Sequence, residues 1–350
     1  MTQLNLRQQN ILDIIGSKKE TTNQDILAFL QNKGEIISRE TLVRDLNILI
    51  QDNLILKTGR GRGVVYKVKK DYSLLRPIDV NDYFSRDVDI RSPKAIQFNF
   101  DIFDKMEGFF SENELAELET KNKEYCDRVA KLPPSILQKE LERITIELSW
   151  KSSKIEGNTY TLLDTEILIK ENKEAEGHDK KEAVMILNHK KALDYILENR
   201  EKFKDISLRV IENVHRILVE NLDVNHGIRE KAVGITGTAY RPLDNKHQIV
   251  EVMEKATALM NNSKNAWDKA LLSLILIAYI QPFEDGNKRT SRLLANASLL
   301  AYDICPISFR SIDETEYKKA VILFYELGNA SLMKKLFLEQ WNFAVQNYFR

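Results

Sequence analysis

Cysteine is almost missing from this chain. Its 350 residues include only Cys126 and Cys305, far apart, which excludes a disulfide framework and a cysteine-based zinc site. Proline and glycine are scarce at 7 and 13, so most segments are free to carry helical period. Long apolar runs are missing too. The longest, Leu271 to Ile280, is interrupted by Ser273 and amounts to half a membrane span. The opening residues show no apolar core followed by a small-residue cleavage site, so a cytoplasmic protein with no membrane partner is expected. Net charge is zero, with 52 basic and 52 acidic residues. Whole-chain attraction to polyanions is therefore not the theme.

What is present is length, apolar content and an uneven spread of charge. A chain of 350 residues with 43% hydrophobic content predicts more than one domain, each with a core. Residues 1–70 carry 12 basic and 7 acidic side chains, a basic head on an acidic body. The fold class expected is mainly α. No internal repeat and no low-complexity tract is visible.

In the head, Leu6, Ile11, Ile14 and Ile15 predict a first amphipathic helix ending near Gly16. Asn23 is the expected cap of a second, with Ile26, Leu27 and Leu30 inward, ending before Gly34. Ser38 is the expected cap of a third, with Leu42, Val43, Leu46, Leu49 and Ile50 on its apolar face. LILKTGRGRGVVYKV then reads as two strands joined by a turn at 59–63. This order resembles the winged helix-turn-helix of bacterial transcription regulators. Arg39, Thr41 and Arg44 on the third helix and Arg60 and Arg62 at the wing tip are the candidate DNA contacts. A winged helix used for protein contacts is the alternative. Gly59-x-Gly61-x-Gly63 is no nucleotide fingerprint, because no βαβ unit follows.

Residues 71–115, with Pro77, Pro93 and several aromatics, read as a connector packed on the body. Helical period then predicts helices over 114–131, 135–156, 161–175, 179–200, 207–222, 248–262, 266–280, 288–303, 313–327 and 331–348.

The chemistry concentrates in QPFEDGNKRTSR, residues 281–292. An apolar helix ends before it and a second begins within it. That geometry aims the N–H groups of Gly286, Asn287, Lys288 and Arg289 into one concavity suited to phosphates. Asp285 can hold a magnesium ion, Arg289 and Arg292 share a helix face, and Phe283 turns inward as a peg.

The segment resembles the Fic family signature His-Pro-Phe-x-(Asp/Glu)-Gly-Asn-x-Arg-x-x-Arg. It matches at Pro282, Phe283, Asp285, Gly286, Asn287, Arg289 and Arg292 and departs at Gln281, where the family has its catalytic His. Gly227-Ile228-Arg229 is a looser echo upstream. Residues 234–242, GITGTAYRP, resemble the family's flap, a short hairpin expected within about 234–250 that aligns an extended target segment. Ser152, Glu156 and Gly157 resemble its inhibitory Ser-x-x-x-Glu-Gly motif. The resemblance covers roughly residues 80–350 and implies a Fic-type helical body over 116–350.

What the resemblance implies is AMP transfer from Mg2+-ATP to a Ser, Thr or Tyr hydroxyl of a target protein. The nucleotide site would comprise Phe283, Glu284, Asp285, Gly286, Asn287, Lys288, Arg289 and Arg292, with Asp285 holding the metal. Gly237, Thr238 and Tyr240 would belong to the flap, and Glu156 would pair with Arg292 in an inhibited state. Gln281 can hydrogen-bond a hydroxyl but cannot take its proton. Three readings of it follow: an inactivated variant of an active enzyme, a nucleotide sensor feeding a DNA-binding head, or another base, His226 or His247. A homodimer stays open.

Overall fold

The computed structural model describes residues 4–350 except 19, 53, 69–71, 92, 94, 95 and 107, and divides into two units, Met1–Ile78 and Asp79–Arg350. In the first, α1 (Leu6–Ser17), α2 (Asn23–Asn32) and α3 (Arg39–Gln51) precede β1 (Ile55–Thr58) and β2 (Val65–Val68), and α4 (Tyr72–Leu75) follows. Asn5 and Gln8 close a capping box on α1, and Ser38 caps α3 by accepting from the Thr41 amide. The cap of α2 is Thr22, not Asn23. Thr22 is the last extended residue, and its hydroxyl and the Asp25 carboxylate bond each other's amides.

β1 and β2 pair antiparallel, with Ile55 opposite Val68 and Thr58 opposite Val65. A 3-10 turn, Gly61–Gly63, joins them. Gly59 lies at φ +86°, and a Cβ there would stand 2.1 Å from the Gly63 carbonyl oxygen, so this turn needs glycine. The side chain of Arg62 lies outside the described residues. Ile11, Leu12, Ile15, Ile26, Leu30, Leu42, Leu46, Leu49 and Tyr66 form the core of this unit. Leu6 and Val43, expected inward, are 72% and 40% exposed. Helical period turns Leu6 away from Ile11 and Ile15, and Val43 stands about 100° round the helix from Leu42.

The second unit opens with α5 (Val80–Phe84) and a 3-10 segment, Phe100–Lys105. It continues with α6 (Glu112–Val129), α7 (Pro134–Ile155), α8 (Leu162–Glu171), α9 (Lys180–Glu198) and α10 (Leu208–Leu218). Last come α11 (Lys246–Asn261), α12 (Ala266–Ile280), α13 (Asn287–Leu300), α14 (Glu314–Leu327) and α15 (Ser331–Asn347). Every residue of α12 is buried. Its apolar circumference follows from its neighbours, because α11, α13, α14 and α15 all pack on it. Among the described residues no helix is long and apolar enough to cross a membrane.

The hairpin expected within 234–250 is not formed. Among the described residues β1 and β2 are the only strands, and Lys246 already begins α11. Residues 231–243 form a strap whose backbone bonds mainly to other parts of the unit. Arg229 donates to the carbonyls of Lys231 and Leu243, Arg91 donates to the Gly237 carbonyl at 2.6 Å, and the Arg241 amide donates to Ile96 at 2.7 Å.

Candidate functional site

The turn between α12 and α13 is built by three residues. Gln281 ends α12 in the left-handed region, at φ 53° and ψ 57°. Gly286 starts α13 at φ 80°, where a Cβ would press on Val219 at 3.3 Å and His215 at 3.5 Å. The Asn287 carboxamide laces the turn together. It accepts from the Phe283 amide at 2.9 Å and donates to the Phe283 carbonyl at 2.8 Å and to Gln281 Oε1 at 3.0 Å. Phe283 is fully buried and stacks on His215, ring centroids 3.7 Å apart. Burial pushes the His215 imidazole down to about 4, so the ring is neutral and its Nε2–H donates to the Asp285 carbonyl at 2.9 Å.

The first turn of α13 has no side-chain cap. The amides of Asn287, Lys288 and Arg289 find no acceptor among the described residues, and these residues line a cavity of about 490 Å3. Gln281, Glu284, Asp285, Gly286 and Glu156 line it as well. Uncapped amides, the positive end of a helix and two cationic side chains make an anion receptor. Arg289 is buried, donates to Asp285 at 2.9 Å, and leaves Nε and Nη1 without partners. Burial lowers its pKa, Asp285 opposing that shift. Glu284 accepts from Asn225 at 3.0 and 3.1 Å.

Two residues expected at the nucleotide do not line the cavity. Phe283 is the buried peg, and Arg292 lies fully buried behind Glu156. Arg292 Nε donates to Ser152 Oγ at 2.9 Å, and its Nη2 donates to the Ser152 carbonyl at 2.8 Å and to Glu156 Oε1 at 2.9 Å. Lys288 reaches the other oxygen of Glu156 at 3.4 Å. Glu156 is the residue that ends α7, and Gly157 follows at φ 102°. Its helix is anchored one turn earlier by Lys151, 2.6 Å from Glu314.

Burial works against ionisation of Glu156, yet Arg292 and Lys288 outweigh it and hold the carboxyl below its ordinary 4.5. A depressed carboxyl pKa contributes stability that is complete above the ordinary value and is lost as pH falls through the lowered one. The stability difference between the chain and Glu156→Gln should therefore be constant across neutral pH and vanish only in acid. Thermal unfolding of both proteins against pH checks this, and a difference that fades near neutrality would contradict the charge assignment.

Gln281 is 7% exposed and its amide is committed. Nε2 donates to the Ala278 carbonyl at 2.6 Å and the Tyr325 hydroxyl at 3.1 Å, while Oε1 accepts from Asn287. No histidine lines the cavity. His226 and His247 are exposed outside it, and His189 is buried, its pKa pushed far down by burial and by Arg292 and Arg289. Tyr325 borders the site, but burial raises its pKa well above 10.

The strap residues divide similarly. Val233, Gly234, Ile235 and Thr236 line the cavity. Tyr240 is buried, stacked between Tyr279 and Tyr325 at 4.9 and 5.0 Å, so it supports the strap from beneath. Tyr317, Val321 and Tyr325 of α14 form one wall of the cavity. Their i, i+4, i+8 spacing on one face was the available signal. Arg229 is the organiser that motif reading underweighted. It is 2% exposed and donates to the Gln281 carbonyl at 2.7 Å, which joins the loop to the strap.

Residues 205–299, which hold the loop, α12 and most of α13, match the Fic/DOC family. Over those residues the chain is similar to Fic/DOC domains. Protein adenylyltransferase Fic of Nematostella vectensis is 26% identical over 234 residues, covering 64% of this chain and 50% of that protein. The Drosophila melanogaster protein of the same name is 27% identical over 174 residues, covering 48% and 35%. The chain thus spans half or less of the length of these curated relatives. Fic-1 from C. elegans superposes with a TM-score of 0.56 at 18% identity, over 66% of this chain and 72% of that one. A Fic domain containing signaling protein from Bacteroides thetaiotaomicron gives 0.53 at 22%, over 66% and 91%. These two likenesses establish a shared fold over about two thirds of the chain.

Proposed function

We propose that the body is a protein adenylyltransferase scaffold that takes Mg2+-ATP in the cavity, is held off by Glu156, and is slowed by Gln281. The observation that carries this reading is Glu156 on Arg292 at 2.9 Å and near Lys288 at 3.4 Å, beside an uncapped helix start. The names of the curated relatives supply the adenylyl group as the unit transferred.

The open amides of α13, Lys288 and Arg289 bind the phosphates. Asp285 suits the metal: its carboxylate is 65% exposed, with one oxygen bonded to Arg289. A single carboxylate fits an ion that keeps waters and shares phosphate oxygens. When bound, Mg2+ supplies charge neutralisation on the phosphates. In transfer, the target hydroxyl oxygen bonds to the α-phosphorus and the bond to pyrophosphate breaks. The hydroxyl proton needs an acceptor, and the Gln281 amide is not one. Glu156 withholds Arg292 from the outermost phosphate, so the triphosphate lies out of line for attack. Incubation with α-phosphate-labelled ATP tests the scaffold: Gln281→His with Glu156→Gly should label protein, and no label with any acceptor would overturn the reading.

A second reading makes the first unit a DNA-binding head and the cavity a nucleotide sensor. The full engagement of the Gln281 amide favours it, since a loop without a base can still bind phosphate. Arg39, Arg44 and Arg60 are exposed and form no ion pair among the described residues. Thr41 is half-buried beside the Ser38 cap. Arg60→Ala and Arg44→Ala should each flatten the salt dependence of DNA binding by a slope of about 0.9 in log–log units. Unchanged slopes would remove the third helix and the hairpin as DNA contacts.

A further inference from the structure

The cavity-lining stretch of the strap is held from its two ends. Among the described residues, no backbone hydrogen bond holds 232–236, and Gly234 and Thr236 are exposed. Arg229 fixes one end of that stretch through the Lys231 carbonyl. The other end is fixed by a buried carboxylate, Glu326 in the last turn of α14, which is 1% exposed. Glu326 Oε1 accepts from Thr238 Oγ1 at 2.7 Å and pairs with Arg91 at 3.2 Å. Its Oε2 accepts from the Tyr83 hydroxyl at 2.5 Å. Arg91 in turn donates to the Gly237 carbonyl at 2.6 Å.

A carboxylate is expensive to bury unless its acceptor positions are filled in fixed directions. Here the bonds from Thr238, Arg91 and Tyr83 converge from three places, and two of them determine where 237 and 238 sit. The preceding residue on α14, Tyr325, lines the cavity. One helix end therefore sets both the cavity wall and the strap beside it.

We propose that Glu326 is a positioning residue for the polypeptide acceptor. Through Thr238 and Arg91 it fixes the residues after 232–236, whose backbone is unpaired among the described residues, so that another chain can add to that stretch as a strand. The proposal rests on the adenylyltransferase reading of this cavity. Glu326 touches neither nucleotide nor target, so its loss should harm transfer to protein while sparing the nucleotide pocket.

The test uses the full chain with Gln281→His and Glu156→Gly as parent and reads two acceptors from one reaction. With water as acceptor, oxygen bonds to the α-phosphorus, pyrophosphate leaves, and AMP is released. With polypeptide as acceptor, the label stays on protein. Adding Glu326→Gln should lower protein labelling at least about tenfold and leave AMP release and ATP affinity within about twofold. Thr238→Val, which keeps the Arg91–Glu326 pair, should lower protein labelling likewise. Equal losses with both acceptors, or no loss with either, would overturn the positioning role. A parent that yields AMP with neither acceptor would instead overturn the adenylyltransferase reading, and this role with it.

Discussion

Gln281→His combined with Glu156→Gly should raise AMP transfer by about 10²- to 10⁴-fold over the chain as it stands, the range expected for a restored general base. The two single variants separate the causes. Glu156→Gly frees Arg292 and opens space at the end of α7, but leaves Gln281 bonded to Ala278, Tyr325 and Asn287. It should bind ATP more tightly and transfer slowly. Gln281→His restores a proton acceptor but keeps Glu156 on Arg292, so its rate should stay far below that of the pair. Effects of groups that act together are not additive. A Gln281→His chain as fast as the double variant would mean that Glu156 is no brake.

Arg229→Met should produce the largest loss of structure from a single change near the cavity. Three carbonyls, those of Gln281, Lys231 and Leu243, accept from its guanidinium. Bonds from a charged donor contribute about 1.5–3 kcal/mol each. They are not independent, and about 3 kcal/mol of lost stability is the expected outcome. Burial lowers the pKa of Arg229, with Tyr240 and Asp244 opposing that shift. Urea unfolding measures the cost. ATP binding should weaken even where the variant remains folded, because the loop and the strap lose their common anchor. A variant with the parental midpoint would show that the carbonyls find other partners.

Much of the body was legible because the loop motif is local. Gln281 to Arg292 supply the turn, the peg and the cations within twelve residues, and helical period located the helices on either side. Apolar stripes likewise predicted the three helices and hairpin of the first unit, apart from Leu6 and Val43. What could not be read depends on distant pairs. The strap was expected to fold on itself, but its partners are Ile96, Arg91 and Glu326, about 85 to 145 residues away along the chain. Ser152 and Glu156 form an obvious motif only beside Arg292, and nothing in the sequence indicates that Lys288 lies near the second oxygen. Arg292, read as a nucleotide contact that would pair with Glu156 in an inhibited state, bonds Glu156 here and does not line the cavity. Tyr317 and Tyr325 are buried in the core and line the cavity as well, a double role that no local motif marks.

The central claim is that Glu156 closes a working triphosphate site. Calorimetric titration of ATP and ADP, each with Mg2+, into the chain and into Glu156→Gly tests it most directly. The account predicts that both proteins bind both nucleotides. Glu156→Gly should gain affinity for ATP by about tenfold while its affinity for ADP stays nearly level, because only ATP carries the outermost phosphate that needs Arg292. Equal affinities for ATP in the two proteins, or no binding in either, would contradict it.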